Sequence, residues 1–183
     1  MAKKYLTRGL SRLVRGKPVI IITTLHQSGL VNAGTFGAYT NLSATEIGLA
    51  IGRPSHTYQN IKRTGELVIN VVTRPLALAA EICAEEIPAT ESELDKAGLH
   101  PEPARMVKVP LIRECPVNIE ARFLKEMEIG YHNLVVVRCL AGHIEEDLLS
   151  EDGGLDVVKA EAVVNFGYPR PLYAVLANPF LAR

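Results

Sequence analysis

Short runs of apolar and β-branched residues recur along the chain, and they predict strands more often than helices. Residues 19–25, which read Val-Ile-Ile-Ile-Thr-Thr-Leu, are typical of a buried strand. The turn residues at 27–29 reverse the chain, and residues 31–33 begin the second arm of a hairpin. Three further strands are predicted over residues 46–52, 66–72 and 163–166.

The longest predicted hairpin pairs residues 118–128 with residues 134–144 around the turn Ile129-Gly130-Tyr131-His132-Asn133. The predicted strands lie close together in the sequence and come as hairpins. This arrangement favours an antiparallel barrel over a sheet built from βαβ units. No internal repeat or low-complexity segment is present.

Helical patterns are fewer. Residues 1–17 place Leu6, Leu10 and Leu13 on one face and basic residues on the other, which predicts an N-terminal helix that Pro18 ends. Residues 75–86 predict a second helix.

Two capping patterns predict further helices. Ser55 or Thr57 can begin a helix that continues to about Thr64 and ends at Gly65. The sequence Thr90-Glu91-Ser92-Glu93 has the form of a capping box and predicts a short helix that ends at Gly98.

Four prolines punctuate residues 99–116, but apolar residues are interleaved with them. We therefore expect an ordered crossing loop within a single domain of residues 1–183, not a linker between two domains. The tail, residues 167–183, carries apolar and aromatic side chains and is expected to be ordered against the rest of the chain.

Charge and composition exclude several classes of function. The 183 residues are 48% hydrophobic and 22% charged with a formal net charge of zero, which argues against nucleic-acid or membrane-surface binding through bulk charge. The N-terminal segment is basic, and residues 81–95 are acidic. These are interpreted as two solvated faces, or as a basic arm that meets a partner or another subunit.

The remaining chemistry-bearing residues indicate no metal site and no disulfide framework. Cys83, Cys115 and Cys139 do not form a CxxC motif, and apolar neighbours predict buried, reduced thiols. The five histidines lack paired spacing with carboxylates. No signal peptide and no apolar run of the ~20 residues that a membrane span requires is visible, so a cytoplasmic protein is expected.

The start of the helix at residues 53–60 has the features of an anion site. Its unsatisfied N–H groups and the helix dipole favour negative charge, Ser55 and Thr57 can donate hydroxyl hydrogen bonds, and Arg53 can donate a bidentate pair. Together they suit a phosphate. The alternative is an ordinary capped helix with a surface arginine.

The preceding polar run, Tyr39-Thr40-Asn41-Leu42-Ser43, also has two interpretations. It is either a β-turn with hydroxyl caps or a backbone edge that hydrogen-bonds the heteroatoms of a flat ring. Small residues at 34, 37 and 38 leave room for such a ring. Periodicity does not separate the two.

Several stretches resemble one known family over nearly the whole chain. They are Pro18-Val19 with Thr23-Thr24, Val31-Asn32-Ala33 with Phe36, Asn41-Leu42-Ser43, residues 51–57 with Asn60-Ile61, residues 64–70, Ala97-Gly98-Leu99 and residues 110–120. These stretches resemble the flavin reductase-like family of FMN-binding split barrels, the group that includes flavoredoxin and archaeal ferric reductase. Two places depart from the family pattern: Gly34-Thr35, where a proline often precedes Phe36, and the tail at residues 168–173.

The resemblance implies a mainly β fold: a six-stranded antiparallel Greek-key split β-barrel with flanking helices, usually a homodimer with FMN near the interface. By position, the phosphate would be bound by Arg53, Ser55, His56 and Thr57. The isoalloxazine ring would be bordered, largely through backbone groups, by Thr40, Asn41, Leu42 and Ser43. The ring wall would be supported by Asn32, Thr35 and Phe36.

The resulting hypothesis is an FMN-dependent oxidoreductase that uses NADH or NADPH to reduce free flavin, a ferric complex or a redox partner protein. No side chain is assigned an acid or base role. A second hypothesis is an FMN-holding electron carrier without nicotinamide turnover, since no nicotinamide fingerprint is visible. A third is a barrel that binds deazaflavin, haem or no cofactor.

Overall fold

Strands dominate this computed structural model, which describes residues 3–167, 171–180 and 182. The strands in chain order are β1 (Lys17–Pro18), β2 (Ile20–Leu25), β3 (Val31–Phe36), β4 (Tyr39–Asn41), β5 (Glu46–Gly52), β6 (Glu66–Val71), β7 (Pro101–Glu102), β8 (Leu111–Ile112), β9 (Val117–Ile129), β10 (His132–Ile144), β11 (Val163–Asn165) and β12 (Tyr173–Val175). The α-helices are α1 (His56–Thr64), α2 (Ala77–Ile82) and α3 (Glu93–Ala97), and 3-10 helices span Leu10–Leu13, Arg74–Leu76 and Glu146–Leu148.

Seven strands form one antiparallel sheet in the order β3-β2-β6-β9-β10-β5-β4. Its two edge strands, β3 and β4, are separated in the chain only by Gly37 and Ala38. The three peptide steps from Phe36 to Tyr39 reach at most about 11 Å, so the sheet must curl until its edges approach each other. The result is a barrel that is split between β3 and β4.

The strand order contains a Greek key. β6, β9 and β10 follow one another in the main sheet, with β7 and β8 forming a separate pair. β5, which leads through α1 into β6, lies on the far side of β10. The expected antiparallel split barrel is therefore confirmed. The main sheet has seven strands rather than six, because the polar run at residues 39–41 pairs with β5.

Both faces of strand β2, which lies between β3 and β6, are buried, and this explains its run of β-branched residues. Ile20 and Ile22 point into the barrel interior with the side chains of β5, β6 and β10. Ile21 points to the outer face, where α2 and α3 cover the sheet with Ala80 and Leu94. The helices thus flank one side of the barrel.

The predicted long hairpin is confirmed as β9 and β10, each of 13 residues. Residues 118–122 of β9 pair with β6, whereas Met127 and Ile129 near the tip are 58% and 52% exposed. β10 stays paired with β5 as far as His132, so the β9 arm alone extends past its neighbour β6 and carries apolar side chains into solvent.

The predicted N-terminal helix is wrong. Within residues 3–17 only the 3-10 helix Leu10–Leu13 forms, between Gly9 and Gly16, whose φ angles are 67° and 83°. Leu10 and Leu13 are 54% and 66% exposed, so the apolar face has nothing to pack against in this chain. Without such burial a helix this short is not stable.

The capping box is also wrong in register. Ser92, not Thr90, caps α3 by accepting a hydrogen bond from the Asp95 N–H at 3.3 Å. Glu93 does not reach back to the cap, because its carboxylate accepts the Ala33 N–H of β3 at 3.1 Å and is buried. The acidic segment is therefore only partly a solvated face. The helix ends at Gly98, as predicted.

The crossing loop is ordered and contains the paired strands β7 and β8. A buried carboxylate holds it to the barrel: Glu120 accepts the N–H groups of Arg105 (3.0 Å), Met106 (2.5 Å) and Val107 (3.0 Å), and lies 2.7 Å from His143 Nε2. Burial alone would raise the pKa of Glu120, but these hydrogen bonds hold it below its ordinary value.

Residues 173–175 of the tail are held against the chain, since β12 pairs with β11, which pairs with β1. Residues 168–170, in the segment that departs from the family pattern, lie outside the described residues.

The predicted helix over residues 75–86 is shorter and forms as Arg74–Leu76 and α2. Cys83 and Cys115 are buried free thiols, whereas Cys139 is partly exposed. No helix in the described ranges is long and apolar enough to cross a membrane.

Candidate functional site

Helix α1 begins and ends where the sequence predicts. Ser55 caps it: the Oγ atom accepts the Tyr58 N–H at 3.2 Å and donates to the Gly52 carbonyl at 2.7 Å. Gly65 ends it in a left-handed conformation with φ of 71°. In the described part of the chain, no acceptor is bonded to the N–H groups of His56 and Thr57, so this helix start keeps its capacity to bind an anion.

A buried network of amides and hydroxyls fixes α1 on the barrel. Asn32 of β3 donates through Nδ2 to Thr57 Oγ1 at 3.0 Å and to Thr24 Oγ1 at 3.1 Å. Asn60 of α1 donates to the same Thr24 oxygen at 3.1 Å. Thr57 is only 2% exposed, so its hydroxyl oxygen is engaged in the interior and not at the surface, where a phosphate would approach.

The glycine at position 34 makes this contact possible. A Cβ atom there would lie 2.8 Å from Thr57 Oγ1 and 3.0 Å from the ring of Phe36. Such distances require something to shift, so only glycine lets β3, α1 and the Phe36 ring meet without strain. Gly34, where the sequence departs from the family pattern, is therefore tightly packed against Thr57 and Phe36.

Arg53 is held by the tip of the β9–β10 hairpin. Its guanidinium forms an ion pair with the Glu128 carboxylate and donates to the Gly130 carbonyl at 2.7 Å. Both side chains of the pair are largely exposed, at 41% and 67%. A phosphate at the helix start would have to compete with Glu128 for this arginine.

His56 lies against a buried histidine that the sequence did not single out. The rings of His26 and His56 meet edge to face with centroids 5.1 Å apart. Asn60 Nδ2, which can only donate, lies 3.4 Å from His26 Nδ1, and His26 Nε2 is buried with no partner among the described residues. Burial lowers the pKa of His26, and the nearby His56 and Arg63 lower it further. Its surroundings therefore favour the neutral form of the ring.

The predicted ring-binding residues lie on and after the edge strand β4. Thr40, Asn41 and Ser43 are exposed, and Leu42 is 48% exposed. The N–H groups of Leu42 and Ser43 both point to the Glu46 carbonyl, at 2.8 and 3.3 Å. Among the residues that the structure describes, β4 pairs with β5 alone, so its other side presents unpaired backbone groups, as a flat ring with heteroatoms requires.

Thr35 and Phe36 line a cleft of about 440 Å³ at the end of β3. Thr35 Oγ1 donates to the Ala80 carbonyl at 2.6 Å, which ties this wall to α2. The other walls come from sequence-distant residues that the sequence analysis missed, and they include Lys17, Glu81, Phe166 and Tyr173. The sequence shows a basic N-terminal segment and an aromatic tail, but it does not indicate that these two segments line the same cleft.

The structure thus brings the predicted residues together in part. Asn32, Phe36 and Thr57 converge at Gly34, and Thr35 and Phe36 share the cleft. Arg53 instead contacts Glu128 and Gly130 at the tip of the β9–β10 hairpin. Residues 40–43 follow the opposite sheet edge, and none of them lines the cleft. No cluster of three or more metal-ligating side chains occurs in residues 3–167 or in the described part of the tail.

Comparisons with known proteins identify the family. A family model described as the flavin reductase like domain matches residues 14–163. An uncharacterized protein of Halalkalibacterium halodurans is 30% identical over 169 residues, which cover 85% of this chain and 80% of the relative.

Solved structures share the fold. The flavoredoxin of Desulfovibrio vulgaris (Miyazaki F) superposes with a TM-score of 0.85 at 20% identity and covers 100% of this chain and 97% of its own. An FMN-binding protein from Thermus thermophilus has a TM-score of 0.80 at 19% identity and covers 100% and 98%.

Proposed function

The chain belongs to the flavin reductase-like family, and from this premise we propose that it is an FMN-dependent oxidoreductase that takes electrons from NADH or NADPH. Free flavin, a ferric complex or a redox partner protein receives them. Bound FMN supplies the hydride and electron chemistry, while the protein supplies binding, orientation and electrostatics.

The observation that carries this proposal is the contact between β3 and the first turn of α1. The Asn32–Thr57 hydrogen bond of 3.0 Å and the missing side chain at Gly34 bring the helix start beside the Phe36 ring. An anion-binding helix start thus lies next to an aromatic wall. A flat ring with a phosphate attached by a short chain requires both features close together.

The phosphate is assigned to Arg53, Ser55, His56 and Thr57. Ser55 supports this assignment by capping α1, because its hydroxyl group is bonded to Gly52 and Tyr58. His56 and Thr57 offer backbone N–H groups, and the helix dipole adds about 0.3–1 kcal/mol for an anion near the surface. Arg53 lies 41% exposed at the same end of α1 and can exchange Glu128 for a phosphate.

The ring is assigned to the wall formed by Asn32, Thr35 and Phe36 and to the edge formed by residues 40–43. The unpaired side of β4 offers backbone groups to the heteroatoms of the ring. The fold shared with a Thermus thermophilus protein that is named FMN-binding supports FMN as the flavin.

We further propose that the protein is a homodimer. Leu42 follows β4, and Met127, Ile129 and Tyr131 occupy the hairpin tip, with 48%, 58%, 52% and 87% of their surfaces exposed. Exposed apolar side chains near a proposed cofactor site are typical of an interface. Light scattering should give twice the monomer mass, and a monomer at micromolar concentration would contradict the proposal.

The proposed function is tested by titrating purified, flavin-free protein with FMN and following flavin fluorescence. Quenching with a stoichiometry of one FMN per chain is expected. Addition of NADH or NADPH to the loaded protein in air should then give steady-state nicotinamide oxidation. A colourless protein that leaves FMN fluorescence unchanged would contradict the flavin assignment.

A second candidate is an FMN-holding electron carrier, which the fold shared with flavoredoxin supports. The same loaded protein distinguishes the two. Rapid reduction by a reduced partner protein without NADH or NADPH turnover would favour the carrier and exclude the nicotinamide-dependent enzyme.

A further inference from the structure

The cleft at the end of β3 is built from four parts of the chain that are distant in sequence. They are the segment around Lys17, the end of β3, the end of α2 and the β11–β12 pair. Its volume of about 440 Å³ lies at the lower end of the range for small-ligand sites, which suits one ring system better than a dinucleotide.

Backbone pairing fixes the cationic wall of the cleft. Lys17 of β1 pairs with Asn165 of β11, so its position does not depend on its own side chain. A Cβ atom at Gly37 would lie 3.3 Å from the Lys17 Cβ atom and 3.5 Å from the Pro18 carbonyl oxygen. Glycine at 37 therefore lets β1 approach the end of β3 and brings Lys17 beside the residue that follows Phe36.

The ammonium group of Lys17 forms no ion pair with any residue that the structure describes. Arg15, which also lines the cleft, donates to the Phe166 carbonyl at 2.5 Å and ties the N-terminal segment to the end of β11. This wall therefore attracts an anionic group on a ligand.

A carboxylate, that of Glu81, also lines the cleft and accepts a hydrogen bond there. Tyr173 donates its hydroxyl proton to the Glu81 carboxylate, and burial together with this hydrogen bond raises the pKa of Tyr173 to about 12. The remaining negative charge of Glu81 repels a second anion. A ligand with one anionic end is thus oriented with that end toward Lys17, and its ring packs on the apolar lining to which Phe36 and Phe166 contribute.

We propose that this cleft binds a small planar organic anion, such as an aromatic carboxylate, through Lys17 and the Phe36 ring. Because Phe36 and Thr35 also belong to the wall assigned to the flavin, the ligand lies beside the flavin and is a candidate electron acceptor. That redox role rests on the proposed function, whereas the binding itself does not.

The test uses 2-naphthoate as the probe and 2-naphthamide as its neutral counterpart, titrated by calorimetry into FMN-loaded and flavin-free protein. Saturable binding of 2-naphthoate below about 1 mM is expected. Lys17→Met, which keeps an apolar stem but removes the charge, should weaken it by roughly tenfold or more. Lys125→Met, at an exposed lysine outside the cleft, should leave it unchanged.

Binding of 2-naphthamide should be weaker and insensitive to Lys17→Met. Absence of saturable 2-naphthoate binding, or equal binding by wild type and Lys17→Met, would overturn the proposal. Displacement of 2-naphthoate by riboflavin would assign the cleft to the flavin and would also overturn it. Lys17-dependent binding by a protein that takes up no FMN would leave the cleft assignment standing and refute the proposed function alone.

Discussion

The side-chain amide of Asn32 donates a 3.0 Å hydrogen bond to Thr57 Oγ1, and through it β3 determines where the first turn of α1 lies. Both residues are 2% exposed, so no water replaces the bond if it is lost. Thr57→Val keeps the shape but removes the acceptor, and a buried unsatisfied donor costs about 1–3 kcal/mol. Urea unfolding should show this loss, with Thr57→Ser as the control that retains the hydroxyl. Equal stability of Thr57→Val and wild type would mean that the bond contributes nothing.

The assignment of the phosphate predicts a selective effect at Arg53. Arg53→Ala should weaken FMN binding by about 10- to 100-fold, since a hydrogen bond to a charged group contributes about 1.5–3 kcal/mol. Riboflavin binding should change little, because riboflavin has no phosphate. Arg74→Ala removes a comparable exposed arginine that is paired with Glu161 at 3.1 Å, and it is the matched control in fluorescence titrations. Equal weakening of FMN and riboflavin would show that the phosphate lies elsewhere.

Glu128 is predicted to oppose FMN binding. It forms an ion pair with Arg53 in this structure, and Glu128→Gln removes that competition. Because exposed ion pairs contribute about 0–1 kcal/mol, FMN should bind up to about fivefold more tightly. The measurement is the same titration, repeated at low and high salt, with Glu161→Gln as the control. Weaker FMN binding by Glu128→Gln would indicate that Glu128 positions Arg53 and does not compete for it.

Gly34→Ala tests the packing of β3 against α1. The added methyl group would lie 2.8 Å from Thr57 Oγ1, so the helix start or the strand must move. We expect a loss of about 1–3 kcal/mol, with the melting temperature lowered by about 2–4 °C for each kcal/mol. FMN binding should weaken as well. Gly142→Ala on β10 meets no atom within 4 Å, lies outside the candidate site and serves as the control. A normal melting temperature would show that the contact relaxes without cost.

The buried Glu120 predicts a pH-dependent contribution to stability. Its pKa is lowered in the folded chain, so the stability it contributes is present above its unfolded pKa and is lost as the pH falls through its lower folded pKa. Glu120→Gln should cost about 3–5 kcal/mol at pH 7, where it breaks a buried charged network. The difference in unfolding free energy between wild type and variant should shrink from about pH 5 towards pH 3. Glu151→Gln, at an exposed site, is the control, and a constant difference across this range would contradict the assignment.

Local features of the sequence were sufficient to predict the elements near the site. The cap at Ser55, the end of α1 at Gly65 and the β9–β10 hairpin depend on residues a few positions apart, and each is confirmed. The N-terminal helix failed because its stability required a packing partner that the pattern could not supply. Glu93 does not act as a capping residue because its carboxylate accepts the N–H of Ala33, which lies 60 positions earlier.

The composition of the candidate site could be predicted better than its geometry. The sequence placed Asn32, Phe36 and Thr57 in one span, and they do converge. It could not indicate that Arg53 pairs with Glu128, 75 positions away, since that depends on how far the hairpin tip extends. For the same reason, the sequence could not indicate that Lys17 and Tyr173 line one cleft, since that depends on the pairing of β1 with β11 and of β11 with β12.

Gly37 and Ala38 form a two-residue crossing that links β3 covalently to β4. Between β3 and β4 the barrel is not closed by ladder hydrogen bonds, so the peptide chain itself joins the two edges. New chain termini placed at this crossing by circular permutation would leave every strand pair intact and yet remove the covalent tether that keeps the edges together. Phe36 and Tyr39, which flank the crossing, would then be free to separate, and the curvature of the sheet between β3 and β4 would no longer be fixed.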